Sequence, residues 1–314
     1  MSTSLSFVLA IHGGSGVISQ ETMTEETETV LRAGLATSLR AGYGVLAAGG
    51  TAVDAVTAAV VALEDDPLFN AGRGAVFTAA GQLEMDAAVM DGRDRSAGAV
   101  AAILGPRNPI LAARAVMDRS EHVLLTGAGA IDFCRRHGVP LADYDYFYSQ
   151  PRWRELLAEL QRRRDTPSGN GPATCCGTVG AVARDCQGSL AAATSTGGMT
   201  AKPSGRVGDT PILGAGTWAD SRCAISATGA GEFFMRGAAA HDVAARVHYR
   251  GDTLEAAASA VVAEVAAMGG EGGVIAVDHE GAMAFPFSGR GMYRGCIRAD
   301  GLALTAIYAE PLRA

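Results

Sequence analysis

Gly177-Thr178 stands where a polar tether meets an apolar run. Upstream, Pro151 to Pro172 is charged and polar, ending Gln161-Arg162-Arg163-Arg164-Asp165-Thr166-Pro167-Ser168-Gly169-Asn170-Gly171-Pro172. Downstream, Thr178-Val179-Gly180-Ala181-Val182-Ala183 reads as a buried strand. A cut between Gly177 and Thr178 would make Thr178 an N-terminus. Its hydroxyl would then be a nucleophile, and its own freed α-amine the base.

Such a nucleophile needs a partner, a site for the developing oxyanion and groups that hold the substrate. Ala193-Thr194-Ser195-Thr196-Gly197-Gly198 ends the next strand, so Thr196 is placed to hydrogen-bond Thr178. Arg206-Val207-Gly208-Asp209 sets a cation and an anion close together. That pair suits the carboxylate and ammonium of a free amino-acid end, with arginine giving a forked donor. Thr228-Gly229-Ala230-Gly231-Glu232 ends a strand and opens a helix, where backbone N–H groups favour negative charge.

The elements that must position these residues follow from periodicity. Strands are expected at 6–11, 83–90, 97–103, 123–126, 178–184, 189–195, 212–218, 222–227, 273–277, 283–287 and 302–308. Helices are expected at 24–48, from a cap at Thr51 to about Glu64, and at 109–117, 129–136, 152–163, 232–249 and 253–268. Helices come in pairs and strands in antiparallel-looking runs. That order suits an α+β fold, a four-layer αββα sandwich of two antiparallel sheets flanked by helices, rather than a doubly wound parallel sheet.

The combination resembles the plant-type asparaginase and isoaspartyl peptidase family, whose members are N-terminal-nucleophile hydrolases. The four segments above carry the resemblance. So do Ile11-His12-Gly13-Gly14, the stretch Leu63-Glu64-Asp65-Asp66-Pro67-Leu68-Phe69-Asn70-Ala71-Gly72, Leu83-Glu84-Met85-Asp86-Ala87, Met90-Asp91-Gly92 and Gly291-Met292-Tyr293-Arg294-Gly295. The resemblance implies hydrolysis of β-aspartyl dipeptides and L-asparagine after self-cleavage into 1–177 and 178–314. It implies Thr178 as nucleophile, supported by Thr196, with the Thr228 hydroxyl and Gly229 N–H as oxyanion hole. Arg206 would take the α-carboxylate and Asp209 the α-ammonium, with Asn70 and Gly231 lining the pocket. A structural sodium ion would sit on the carbonyls of Leu63, Glu64, Asp66, Phe69, Ala71 and Arg73, since a hard cation suits oxygen donors. His12-Gly13-Gly14 would lie behind the scissile bond. A homodimer of cleaved heterodimers is also implied. Arg73 and Arg290 depart from the usual pattern where charge can bear on the leaving group.

Other readings of the same residues are narrower. A serine esterase of α/β-hydrolase type could use Ser195, with Asp209 or Asp220 and His241 or His248, but no convincing helix follows the serine. Gly214-Ala215-Gly216 could mimic a dinucleotide loop, but lacks the following helix and acidic partner. With 314 residues and 48% hydrophobic content, one large core is affordable. A net charge of −7 without a basic stripe argues against nucleic acid. The six cysteines have no zinc-like spacing and read as free thiols of a cytoplasmic protein. Leu5 to Ile11 is too short and lacks the basic lead of a signal core, and no stretch resembles a membrane span.

Overall fold

The computed structural model describes residues 7–16, 18, 20, 21, 23–165 and 177–314. The end of the tether and Cys175-Cys176 lie outside the described residues. The fold is mixed α+β. In chain order it runs β1 (Val8–Gly16), α1 (Glu25–Ala47), α2 (Ala52–Asp65), β2 (Met85–Asp91), β3 (Ala97–Ile103), α3 (Pro109–Arg119), β4 (Leu124–Thr126), α4 (Gly127–Arg136), α5 (Tyr144–Phe147) and α6 (Gln150–Asp165). After the tether come β5 (Val179–Arg184), β6 (Leu190–Thr196), β7 (Thr217–Ala219), β8 (Cys223–Gly229), α7 (Gly231–Gly237), α8 (Ala239–Ala245), α9 (Leu254–Ala267), β9 (Gly272–Asp278), β10 (Met283–Ala284), β11 (Gly291–Arg298) and β12 (Leu304–Ala306).

An eight-stranded sheet has the order β12-β11-β1-β5-β6-β2-β3-β4, and a four-stranded sheet has the order β10-β9-β8-β7. Side chains alternate across each strand, and the apolar clusters record it. Leu9, Ile11, Ala181, Ala183, Ala191 and Ala193 join one cluster with α1, α2 and α3. Their neighbours Val8, Ala10, Val182, Leu190 and Ala192 join a second cluster with Ala224, Ile275 and Val277 of the smaller sheet. Ile225, Ala227, Val274 and Ala276 pack instead with α8 and α9. The helices start where the caps predict: Thr24, Thr51 and Thr253 accept from the backbone N–H of Thr27, Asp54 and Ala256.

Several expectations need correction. β1 does not stop at Ile11 but continues through the glycines to Gly16, with a register shift between His12 and Gly14. β3 pairs with β4 in parallel, so the larger sheet is not wholly antiparallel. Residues 212–216 are a turn closed on the Asp209 carbonyl, leaving only Thr217–Ala219 as strand. The helix expected over 232–249 breaks at Ala238, whose φ of 45° is left-handed, and ends in a π-turn at Arg246–Arg250. β11 is legible only as a motif; its two glycines hide the strand.

Candidate active site

The facing surfaces of the two sheets are apolar along most of their length and polar at one end. On β1 the sequence Val8, Ala10, His12 shares one face; on β6, Leu190, Ala192, Thr194, Thr196; on β8, Ala224, Ser226, Thr228. Period-two alternation therefore gathers an imidazole and four hydroxyls at one sheet end beside Thr178, which is 7% exposed at the entrance to β5. The Thr178 hydroxyl donates to Thr196 Oγ1 at 3.2 Å, and Thr196 Oγ1 also accepts from Gly198 N at 2.9 Å.

His12 is fully buried, and burial holds its imidazole far below the ordinary range, at about 3. It is therefore neutral. Nδ1 lies 3.0 Å from the Thr178 carbonyl oxygen, which can only accept, so Nδ1 carries the proton. Nε2 then accepts from Ser226 Oγ at 2.9 Å, and Ser226 in turn takes the Thr194 hydroxyl at 2.7 Å. The chain ends on Thr217, which meets Thr194 at 2.7 Å and the Thr210 carbonyl at 3.0 Å. Gly180 faces His12 in the register, and a Cβ there would strike both Ser226 Oγ and His12 Nε2.

Behind the Gly177–Thr178 peptide bond the backbones of Gly14 and Gly177 touch. A Cβ on Gly14 would lie 2.5 Å from Gly177 Cα, and the Gly14 φ of +114° excludes most side chains as well. Ser15 continues the strand past this contact. Its N–H donates to Thr228 Oγ1 at 3.1 Å and its hydroxyl to the Thr228 carbonyl at 3.2 Å. The Thr228 proton is thereby left to donate elsewhere. Gly229 follows with φ +140°, a shape that suits glycine.

Thr178, Thr196, Gly198, Met199, Arg206, Gly208, Asp209 and Gly229 line one small cleft. Arg206 and Asp209 do not pair with each other. The Arg206 guanidinium binds Glu232 through two bonds, at 2.9 and 3.0 Å. Asp209 is 3% exposed, its Oδ2 has no hydrogen-bond partner among the described residues, and burial pushes its carboxyl up to about 7. Gly231 lies against both: a Cβ there would come within 2.6 Å of Asp209 Oδ1 and 3.3 Å of an Arg206 nitrogen.

Asn70 is not among the cleft-lining side chains. Its amide donates to the Gly198 carbonyl at 2.7 Å and its oxygen accepts from Val76 N at 3.1 Å, so it fastens the turn that follows Thr196. The long loop closes on itself around Gly72 and Gly74. A Cβ on Gly72 would come within 2.5 Å of the Glu64 carbonyl oxygen, and one on Gly74 within 2.7 Å of the Pro67 carbonyl oxygen while striking that of Phe69. Carbonyl oxygens that turn inward on a glycine-sized space are donors fit for a hard cation. Arg73 is exposed, with its guanidinium 5.8 Å from the Tyr146 ring centre. Arg290 lines a separate cleft with Glu21, Tyr308 and Arg313.

Ser195 faces the helices, away from Thr196. Its hydroxyl donates to the buried Glu64 Oε1 at 2.6 Å, and no histidine among the described residues reaches it, so it lacks a nucleophile's surroundings there. Sequence reasoning passed over Glu232 as a partner of Arg206, and over Ser15, Ser226, Asp86 and Lys202. A carboxylate inside the apolar strand Met85-Asp86-Ala87-Ala88-Val89 was the available signal for Asp86.

Residues 5–307 match the family model described as asparaginase. The chain is 48% identical to an isoaspartyl peptidase of Salmonella typhimurium, over 96% of this chain and 99% of that one. It is 47% identical to the isoaspartyl peptidase of Escherichia coli, over 96% of both. A probable isoaspartyl peptidase/L-asparaginase 2 of Arabidopsis thaliana is 37% identical, over 96% of this chain and 99% of its own.

Proposed function

The chain belongs to the asparaginase family, and on that premise we propose that it is a self-cleaving amidohydrolase of β-aspartyl (isoaspartyl) dipeptides and L-asparagine that releases L-aspartate. One observation carries this reading: the Thr178–Thr196 hydroxyl pair opens on the cleft that also holds Arg206, Asp209 and Gly229.

In the first reaction the Thr178 hydroxyl attacks the Gly177 carbonyl carbon. The peptide C–N bond breaks, an ester forms on Oγ1, and water opens it to leave chains 1–177 and 178–314. In the second, the freed α-amine of Thr178 takes the hydroxyl proton and Oγ1 attacks the substrate's side-chain carbonyl. The Thr228 hydroxyl and Gly229 N–H face the oxyanion. The amine leaves with a proton, and water hydrolyses the aspartyl ester. Arg206 grips the α-carboxylate through the guanidinium edge that Glu232 leaves free and Asp209 the α-ammonium, with Gly231 leaving room for both. Asn70 acts through the Gly197-Gly198 turn. Glutamine is a poor substrate because its longer side chain overshoots Thr178 while its α-groups stay clamped.

The alternating clusters support a four-layer αββα sandwich that forms a single domain over 1–314 in both the intact and the cleaved chain. A structural sodium ion fits the carbonyls of Leu63, Glu64, Asp66, Phe69, Ala71 and Arg73 and would stiffen the loop under Gly13. We read the mature form as a homodimer of cleaved heterodimers in the cytoplasm, consistent with the free thiols Cys134, Cys186, Cys223 and Cys296. Among the described residues, no helix is long and apolar enough to cross a membrane.

Intact-mass spectrometry tests the first reaction. The purified chain should give fragments 1–177 and 178–314, and Thr178→Ala should stay one chain. A full-length protein that hydrolyses substrate would sink the mechanism. Side-by-side kinetics should give a β-aspartyl dipeptide a higher kcat/KM than asparagine.

A further inference from the structure

Asp86 is completely buried at the start of β2, directly across from Thr196 in the β2–β6 register. Directly opposed residues of an antiparallel pair project to the same face, so Asp86 stands beside the cleft without lining it. Its Oδ1 accepts from Ala102 N at 2.8 Å, and its Oδ2 is buried with no hydrogen-bond partner among the described residues. Burial pushes the Asp86 carboxyl's pKa up, and the Lys202 ammonium, the backbone amides of Ala102 and Gly208 and the Arg206 guanidinium oppose that rise.

Lys202 is 2% exposed. Its ammonium donates to the Glu84 carbonyl at 2.6 Å and presses against Gly198, where a Cβ would come within 2.7 Å of Nζ. Glu84 adds a second tie, its Oε2 accepting from Gly205 N at 2.8 Å. The residues from Glu84 to Asp86 thus hold the segment 198–209 from one side. That segment contributes Gly198, Met199, Arg206, Gly208 and Asp209 to the cleft.

A desolvated carboxylate and a desolvated ammonium are a poor way to stabilise a core, because apolar residues of like volume do as well or better. What opposed charges supply here is placement. We propose that Asp86 and Lys202 are positioning residues, whose buried opposite charges hold the 198–209 segment and the Arg206 guanidinium in the geometry that grips an amino acid's α-carboxylate and α-ammonium. Glu232 steadies the same guanidinium from the solvent side. Neither Asp86 nor Lys202 touches the substrate. The proposal rests on the reading of the cleft as the substrate site.

The test uses the self-cleaved protein and Asp86→Asn, which keeps shape and removes charge. Calorimetric binding of L-aspartate is measured beside kinetics on a β-aspartyl dipeptide. Asp86→Asn should self-cleave fully, raise both KM and the L-aspartate Kd about tenfold, and change kcat less than threefold. The double variant Asp86→Asn with Lys202→Met, which strands neither charge, should regain part of that affinity. A lower Tm with unchanged KM and Kd means a merely structural role and overturns the proposal; so does a loss confined to kcat. If Asp86→Asn does not fold, Lys202→Met alone must weaken L-aspartate binding and Lys202→Arg must restore it, or the proposal fails. A wild-type protein that binds no L-aspartate removes the reading of the cleft and the proposal with it. A wild-type protein that binds, matched by Asp86→Asn, removes the proposal alone.

Discussion

His12 holds Thr178 by its own carbonyl: the imidazole Nδ1–H donates to that oxygen across 3.0 Å, from a different strand and 166 residues away. In the proposed self-cleavage, the contact fixes the attacking residue without touching its hydroxyl. The hydroxyl therefore stays free to donate to Thr196.

Replacing His12 should therefore slow self-cleavage more than it slows any later step. In His12→Ala the Thr178 carbonyl and the Ser226 hydroxyl both lose a buried partner, a cost of about 1–3 kcal/mol for each group left unsatisfied. His12→Asn places an amide N–H near the position of Nδ1 and should retain much of the cleavage. Gel densitometry of freshly expressed protein over time separates the two variants, and equal cleavage rates would remove His12 from the positioning of Thr178.

The same histidine sets an acid limit on stability. Its folded value near 3 lies below the unfolded value of 6.5, so its contribution is fully present above pH 6.5 and is lost as pH falls toward 3. Between pH 6.5 and 5 that loss amounts to about 2 kcal/mol, at 1.36 kcal/mol per pH unit. Scanning calorimetry of wild type against His12→Asn should show the wild-type Tm falling faster over that interval. Parallel curves would mean that the fold does not lower the His12 pKa.

Arg206 and Glu232 predict two graded losses. Arg206→Lys keeps charge but not the fork, and should lower kcat/KM by about 1.5–3 kcal/mol on cleaved enzyme. Glu232→Gln leaves the guanidinium in place but less firmly aimed. Because the Glu232 side chain is 49% exposed, that loss should be only about 0.5–1 kcal/mol. A larger effect from Glu232 than from Arg206 would give Glu232 a direct part in binding.

The glycine-closed loop predicts a cation effect read without any assay of activity. At constant ionic strength, replacing choline with sodium should raise the wild-type Tm, by the equivalent of about 2.7 kcal/mol at a hundredfold excess over Kd. Gly74→Ala pushes a methyl into the Pro67 and Phe69 carbonyls and should abolish the sodium response. A wild-type Tm indifferent to sodium would remove the ion from this loop.

Thr178, Thr196, Arg206, Asp209 and Gly229, which line one cleft, stand out in the chain because they lie at strand starts, strand ends or between glycines, where residue type is a strong signal. Their partners do not. Glu232 meets Arg206 only because the short α7 begins beside the 205–209 turn, and Ser226 meets His12 only because the two sheets face each other. The resemblance implies Asn70 as pocket lining, but no local pattern marks the bonds its amide makes to the Gly198 carbonyl and Val76 N. The broken helix at Ala238 shows the same limit: nothing in Gly237-Ala238-Ala239 marks a left-handed residue.

The last prediction separates two protons that titrate in one window. The α-amine of mature Thr178 has a reference pKa of about 7.7–8.0 and must be neutral to act as base. Asp209, raised to about 7 by burial, must be ionised to hold the substrate ammonium. Both therefore make kcat/KM rise with pH between roughly 6 and 8. Substrate binding supplies Asp209 with a counter-charge that lowers its pKa, so its ionisation should fade from kcat, where the α-amine persists. Competitive inhibition by L-aspartate isolates the carboxylate. Its Ki should rise as pH falls below 7 in wild type, and should be weak and level with pH in Asp209→Asn. A Ki that ignores pH in wild type would mean that Asp209 is already ionised in the empty cleft. One-at-a-time replacement of His122, His137, His241, His248 and His279 should leave both profiles in place, because none of them reaches Thr178 or Asp209 among the described residues.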